Sequence, residues 1–125
     1  MKVTTEWIRN WYNYFNKIYF GGILQPEGDP DIEYSIEFLP VNKDTSYLGQ
    51  CRYNKNHHTI LVLNNKYDWL IEKEWQNVLL HEMIHVWQDI MGYKGGHGKS
   101  FKRKAKEINS FGWGITTIYD DFRKK

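Results

Sequence analysis

The segment WQNVLLHEMIHVWQDIM, residues 75–91, decides the fold that this chain is expected to adopt. At about 100° per residue, its apolar side chains cover roughly half of a helix circumference. The polar side chains share the remaining sector, namely His81, Glu82, His85, Gln88 and Asp89. We therefore predict a helix from about residue 69 to residue 91 that is buried on most of its surface and carries one polar stripe.

Two histidines in this stripe have the spacing of metal ligands. His81 and His85 are four residues apart, so both imidazoles lie on one helix face and can reach one ion. Glu82 lies close enough to act on a water molecule at that ion. A single histidine on such a helix is more often a core residue with its hydrogen bonds satisfied, but two in register with Glu82 favour a metal site. This spacing is typical of a zinc hydrolase helix, with Glu82 as general base.

A catalytic zinc ion takes three protein ligands and leaves one position open, so a third ligand is needed. One candidate is His97, which lies 12 residues after His85 in the run Gly95-Gly96-His97-Gly98. The other is Glu107, 22 residues after His85 in the next predicted helix. We favour His97 because the glycines allow the backbone to turn back beneath the metal, whereas Glu107 has the surroundings of a solvated helix residue.

Four other residues have less specific surroundings. Asp89, one turn after His85, either accepts a hydrogen bond from a zinc histidine or faces solvent. His57 and His58 fall in a polar segment and are expected to be surface histidines. Cys51 is expected to be a small buried residue rather than a nucleophile, because no neighbouring base or helix start activates it.

Composition limits the class of protein. The 125 residues are expected to form one domain, 1–125, that buries a core without disulfides. Its longest apolar run is too short to cross a membrane, and the first residues lack a secretory signal pattern. One cysteine excludes an internal disulfide and a four-cysteine zinc site, and it suits a reducing compartment. We therefore expect an intracellular protein, cytoplasmic or, in a eukaryote, nuclear.

The remaining patterns predict an α+β fold. An amphipathic helix starts at a Thr4 or Thr5 cap and ends at Gly21-Gly22. Alternating or extended runs then predict three strands in a mixed or antiparallel sheet, at residues 32–38, 48–53 and 59–63, the last two joined by a hairpin loop at 54–58.

After the histidine helix, a second helix is predicted from a Ser100 cap to about Asn109. Its inner face carries Phe101, Ala105 and Ile108. Residues 115–119 have a strand-like composition.

The motifs together resemble the SprT-like metallopeptidase family. The resemblance lies in residues 81–86, 96–101 and 108–110, and it extends to residues 14–16, 20–24, 48–51, 60–64 and 115–122. It covers nearly the whole chain. It implies a zincin-like fold and a peptidase that hydrolyses a protein substrate with one catalytic Zn²⁺ ion. It assigns His81, His85 and His97 as metal ligands and Glu82 as the catalytic acid-base.

The resemblance also implies action on proteins bound or crosslinked to DNA, as in DNA–protein crosslink repair. Family members commonly carry a cysteine-rich zinc subdomain, whereas this chain has one cysteine. Non-specific contact with DNA phosphates is expected from the cations Lys99, Lys102, Arg103, Lys104 and Lys106, and from a basic tail at 123–125 that is expected to be disordered. The alternative is a catalytically silent DNA-binding or adaptor module with a structural zinc. Glu82 argues against it, since a structural site needs no general base.

Overall fold

Three strands form the sheet on which the helices pack. In the computed structural model, which describes residues 1–28, 34–53 and 58–117, they are β1 (Ile36–Val41), β2 (Gly49–Tyr53) and β3 (Thr59–Asn64). β3 lies in the centre, parallel to β1 and antiparallel to β2. The sheet is therefore mixed, which is one of the two predicted arrangements, and β2 and β3 are antiparallel neighbours. Residues 54–57 of the predicted hairpin loop lie outside the described part of the chain.

The first strand begins later than its sequence pattern predicts. Tyr34 has a φ of 61°, a left-handed conformation that an extended strand does not contain, so regular pairing starts at Ile36. The strand then continues through Pro40. This is compatible with β1 being an edge strand, because proline lacks the N–H that a central strand would have to donate. The predicted residues 32 and 33 lie outside the described part of the chain.

Helix α1 (Thr5–Tyr19) packs against β1 and against helix α2 (Glu72–Met91). Thr4 is its cap, and the Thr4 side chain accepts a hydrogen bond from the Trp7 N–H at 3.1 Å. The buried face includes Tyr12, whose ring lies 4.9 Å from that of Phe38 on β1. This confirms the predicted helix and selects Thr4 from the two candidate caps.

Helix α2 (Glu72–Met91) is the buried helix predicted from residues 75–91. It starts later than predicted, after a 3₁₀ turn at Asn65–Tyr67. Every residue from Trp75 to Gln88 is buried. The helix ends at Gly92, whose φ of 74° is left-handed, as expected for a glycine that closes a helix.

Helix α3 (Lys99–Asn109) follows, with Gly98 rather than Ser100 as the residue that precedes its first turn. The prediction of a Ser100 cap is wrong because the Ser100 hydroxyl has another partner, the Gln88 side-chain amide at 2.9 Å. The predicted inner face, Phe101, Ala105 and Ile108, is buried.

The strand predicted at 115–119 is not formed by its described residues, 115–117. Their backbone groups bind side chains of α2 and α3 instead of a neighbouring strand. Residues 118 and 119, like the basic tail, lie outside the described part of the chain.

All of these elements contribute to one hydrophobic core, whose largest fully buried side chains are Trp75, Tyr12, Phe15 and Phe101. Among the helices in the described ranges, none has both the length and the apolar character that crossing a membrane requires. The core fixes α2 between the sheet, α1 and α3. Its polar stripe therefore faces β2 and the loop that leads to α3.

Candidate metal centre

Three histidines from two parts of the chain converge. One ring nitrogen from each of His81, His85 and His97 lies within 4.8 Å of the other two. The Nε2 atoms of His81 and His97 are 3.2 Å apart. Two zinc–nitrogen bonds of about 2.05 Å at a tetrahedral angle place their nitrogens about 3.3 Å apart, so this pair has the separation of two ligands of one ion.

The structure thus brings together the three histidines that the sequence singles out. Glu107, the alternative third ligand, lies elsewhere, on the exposed face of α3. Its Oε2 accepts a hydrogen bond from the Lys104 ammonium at 2.6 Å. The choice of His97 over Glu107 therefore agrees with the geometry of the group.

A backbone carbonyl fixes the tautomer of His81. Its Nδ1 lies 2.6 Å from the carbonyl oxygen of Thr116. Because a carbonyl can only accept, Nδ1 must carry a proton, and in the neutral ring Nε2 then presents a lone pair to the histidine cluster. No sequence motif assigns this role to Thr116, since the contact is made by its backbone.

The amide of Gln88 fixes His85 in the same way. Its Nε2 donates to the carbonyl of Gly96 at 3.0 Å and to the Ser100 hydroxyl at 2.9 Å, so its Oε1 must face Nδ1 of His85, at 2.8 Å. His85 therefore also presents Nε2 to the cluster. The role considered for Asp89 is filled here by Gln88, which the sequence places on the same polar stripe.

Glu82 completes the group. Its side chain is 0% exposed, and its Oε2 lies 3.9 Å from Nε2 of His81. A cleft of about 280 Å³ runs past it, lined by Gln50, Cys51, Tyr53, Glu82, His85, Gly95 and Gly96. The three histidines and a buried carboxylate thus lie beside a space that is large enough for a few atoms of a peptide.

Comparison with protein families agrees with this geometry. A family model described as the SprT-like family matches residues 8–119. The chain belongs to the SprT-like family. A search of curated proteins finds no match to it. The matched range includes the complete histidine group and continues past α3 to the segment that contains Thr116.

In this SprT-like chain, two side chains of β2 are hydrogen-bonded to the backbone of helix α2. The Tyr53 hydroxyl donates to the carbonyl of His85 at 2.8 Å, and the Cys51 thiol donates to the carbonyl of Glu82 at 3.1 Å. Desolvation of the hydroxyl raises the pKa of Tyr53, although 47% of the residue is exposed, so the phenol keeps the proton that it donates. Cys51 is only half-buried and lines the cleft.

Gly49 allows β2 to approach the carboxylate closely. A Cβ atom at this position would lie 3.0 Å from Oε2 of Glu82 and 3.1 Å from Cγ1 of Val78. Any side chain would therefore push against Glu82, which has no exposed surface into which it could move. Gly49 thus contributes to the position of Glu82 without contacting the histidines.

The expectation that His58 is a surface histidine is wrong. Its side chain is 2% exposed, and its Nδ1 lies 2.7 Å from the Ser35 hydroxyl, while its Nε2 lies 3.3 Å from Oε1 of Glu37. The residue directly precedes β3, where it ties the starts of β1 and β3 together. It is not part of the metal group, and His57 lies outside the described residues.

The cations of α3 fall into two sets. Lys99, Lys102, Arg103 and Lys106 are exposed. Lys104 differs, because its ammonium pairs with Glu107 and its side chain is only 12% exposed. Four of the five cations predicted to contact phosphates are therefore on the surface.

Replacing Gln88 tests whether the histidine group is a metal centre. Without the Gln88 amide, the His85 ring loses the acceptor that holds its tautomer, so Gln88→Ala should weaken zinc affinity by about 10- to 100-fold. Affinity is measured by competition with a chromophoric chelator. Gln76→Ala, at a buried position on the same helix, is the matched control and should leave affinity unchanged. Equal zinc affinities of the two variants would contradict the role of Gln88 in holding His85.

Proposed function

We propose that this SprT-like protein is a zinc-dependent metallopeptidase in which His81, His85 and His97 hold the ion. The observation that carries the proposal is the fully buried Glu82 carboxylate, 3.9 Å from Nε2 of His81 and beside the open cleft. Three neutral imidazoles are a donor set that suits zinc, and three protein ligands leave a fourth position open.

Held by His81, His85 and His97, a zinc ion would supply Lewis-acid chemistry, lowering the pKa of a bound water molecule and polarising a peptide carbonyl. Glu82 would act as general base towards the attacking water and would then deliver the proton to the nitrogen of the leaving amine. Tyr53 does not take part in the proton transfer, since its hydroxyl donates to the His85 carbonyl. Its contribution is to hold β2 and α2 at a constant separation.

Replacing one carboxylate oxygen of Glu82 by an amide nitrogen tests its role as general base. Glu82→Gln keeps the size of the side chain but removes its basicity, so hydrolysis of an unfolded protein substrate should fall by at least about 100-fold. Zinc affinity should stay close to that of the unchanged protein. Both quantities are measured on the same preparations, activity by gel electrophoresis of the products and zinc by chelator competition.

His81→Ala should instead lose zinc and activity together, which separates the ligand from the base. Turnover in Glu82→Gln that equals the original rate would refute the role of Glu82. Zinc binding without cleavage of any protein, with or without DNA, would support the alternative of a silent module with a structural zinc.

Gly49→Ala tests the position of Glu82 separately from its chemistry. The added methyl group displaces the carboxylate, and a misplacement approaching 1 Å costs on the order of 100-fold in rate, so we expect a loss of about 10- to 100-fold in kcat. Zinc affinity should not change, because Gly49 contacts none of the histidines. Gly28→Ala is the control, because its added methyl group makes a similarly close contact, 3.2 Å to Cβ of Ser35, away from Glu82, and it should keep full activity. Unchanged kcat in Gly49→Ala would show that Glu82 relaxes without cost.

We further propose that the substrates are proteins bound or crosslinked to DNA, which places the protein inside the cell, in the cytoplasm or the nucleus. The support is the family together with the exposed cations of α3. Exposed lysines and arginines attract phosphates without sequence preference. Lys104 is excluded from this contact by its pairing with Glu107.

Charge reversal on α3 tests the contact with DNA. Lys102→Glu/Lys106→Glu should weaken single-stranded DNA binding, and the slope of log affinity against log salt should become shallower by about 1.4, or about 0.7 for each lost phosphate contact. Lys17→Glu/Lys43→Glu changes the net charge equally on other exposed surfaces and is the control. Equal losses in the two variants would indicate a general charge effect, and absence of binding in the original protein would remove the DNA proposal while leaving the peptidase proposal intact.

A further inference from the structure

Residues 112–116, which we call the C-terminal strap, run along helix α2. Side chains one turn apart on α2 contact alternate residues of the strap. The contacts are Lys73 Nζ to the Gly112 carbonyl at 3.2 Å, the Gly114 N–H to Asn77 Oδ1 at 3.0 Å, and His81 Nδ1 to the Thr116 carbonyl at 2.6 Å. The last contact in this series is the one that fixes the tautomer of His81.

The spacing of these contacts follows from backbone geometry. Four residues of an α-helix advance about 6.0 Å, and two residues of an extended chain advance about 6.6 Å. Residues two apart in a nearly extended segment can therefore meet side chains on successive helical turns, as Gly114 and Thr116 meet Asn77 and His81. Because of this match, holding the strap at Gly114 also sets where the Thr116 carbonyl lies relative to His81.

Asn109 holds the strap from the side of α3. Its Nδ2 donates to the carbonyl of Ile115 at 3.1 Å, and its Oδ1 accepts from the N–H of Ile115 at 2.8 Å. The Ile115 side chain is buried in the core beneath. The residue directly before Thr116 is thus fixed through both of its backbone polar groups.

Trp113 adds an apolar anchor at the other end of the strap. Its indole N–H donates to the Tyr19 hydroxyl at 2.7 Å, and its ring lies edge-on to that of Phe15, with the centroids 5.2 Å apart. Each residue from Gly112 to Thr116 therefore has a specific contact to α1, α2 or α3.

We propose that Asn77 and Asn109 are positioning residues of the metal centre, which they influence through the strap and the Thr116 carbonyl. The inference rests on the proposed metal site. In the described part of the chain, neither asparagine is hydrogen-bonded to these histidines, and neither lies in the segment from His81 to His97 that contains all the ligands. When the strap is held, His81 keeps its proton on Nδ1 and its lone pair on Nε2, as a metal ligand must.

The test uses Asn77→Ala and Asn109→Ala. With the strap released, the Thr116 carbonyl no longer holds the His81 ring, so zinc affinity should fall by about 10-fold or more in each variant. Affinity is measured by chelator competition. The visible absorption of the Co²⁺-substituted protein, which reports ligand geometry, should also change in shape or intensity.

Asn65 provides a matched control because it makes the same pair of hydrogen bonds elsewhere. Its Oδ1 accepts from the Val3 N–H at 2.8 Å, and its Nδ2 donates to the Val3 carbonyl at 2.9 Å. Asn65→Ala therefore removes an equivalent pair of hydrogen bonds from a different part of the structure. It should lower the free energy of unfolding about as much as Asn109→Ala does, but leave zinc affinity and the Co²⁺ spectrum unchanged.

A second readout does not depend on bound metal. In the metal-free protein, ¹⁵N chemical shifts of the His81 ring should show a proton on Nδ1, and Asn109→Ala should shift the population towards the other tautomer. If Asn109→Ala does not fold, Asn77→Ala, which loses a single hydrogen bond, decides the question by the same measurements.

The outcomes separate this inference from the proposed function. Failure of the unchanged protein to bind zinc, or full binding by His81→Ala, would refute the metal site itself. Zinc binding that is lost in His81→Ala but retained in both Asn77→Ala and Asn109→Ala would overturn only the role of the strap. An equal loss of zinc affinity in Asn65→Ala would also overturn it, because the effect would then be general destabilisation.

Discussion

The structure depends on one constraint, which is that a buried helix with polar side chains needs hydrogen bonds from neighbouring segments to hold those side chains. From Trp75 to Gln88, α2 has no exposed residue, yet its stripe includes two imidazoles and a carboxylate. Burying such groups without partners would cost several kcal/mol, roughly the whole margin of stability of a domain this size. Each Nδ1 atom therefore has an acceptor, supplied by Thr116 for His81 and by Gln88 for His85. The opposite edges of the rings then face a common centre with His97.

This requirement explains why segments distant in sequence meet at α2. The loop that contains His97 is tied to the helix through the Gly96 carbonyl and Gln88, and the first turn of α3 is tied to the same amide through Ser100. On the other side, β2 is held through Tyr53 and Cys51, and its approach is close enough that Gly49 cannot be replaced without contact with Glu82. Gln88 and Gly49 thus determine where the two walls of the cleft lie, and neither residue takes part in the proposed reaction.

The sequence predicts the parts of this arrangement that depend on periodicity and spacing. Helix α2 and its polar stripe follow from a repeat of 3.6 residues, and His97 follows from glycines that permit a turn. The strap could not be predicted, because residues 115–119 have a strand-like composition, whereas the partners of residues 112–116 are side chains of the helices rather than a strand. Thr116 acts through its carbonyl, which any residue has. His58 lies in a polar segment of the sequence, but the chain enters β3 directly after it, and its buried ring contacts Ser35 and Glu37.

If residues 112–116 position His81 as proposed, they also connect metal affinity with the ordering of that segment. A ligand that binds only the folded arrangement stabilises that arrangement by RT ln(1 + [L]/Kd), and the coupling is reciprocal. If ordering of residues 112–116 favours the metal-binding tautomer of His81, an ion at the histidines must in turn favour the ordered strap. Asn77 and His81 lie one turn apart on a rigid, buried helix, so this coupling needs no movement of α2. It requires only that Gly114 and Thr116 attach and detach together, as the matching rises of helix and strap allow.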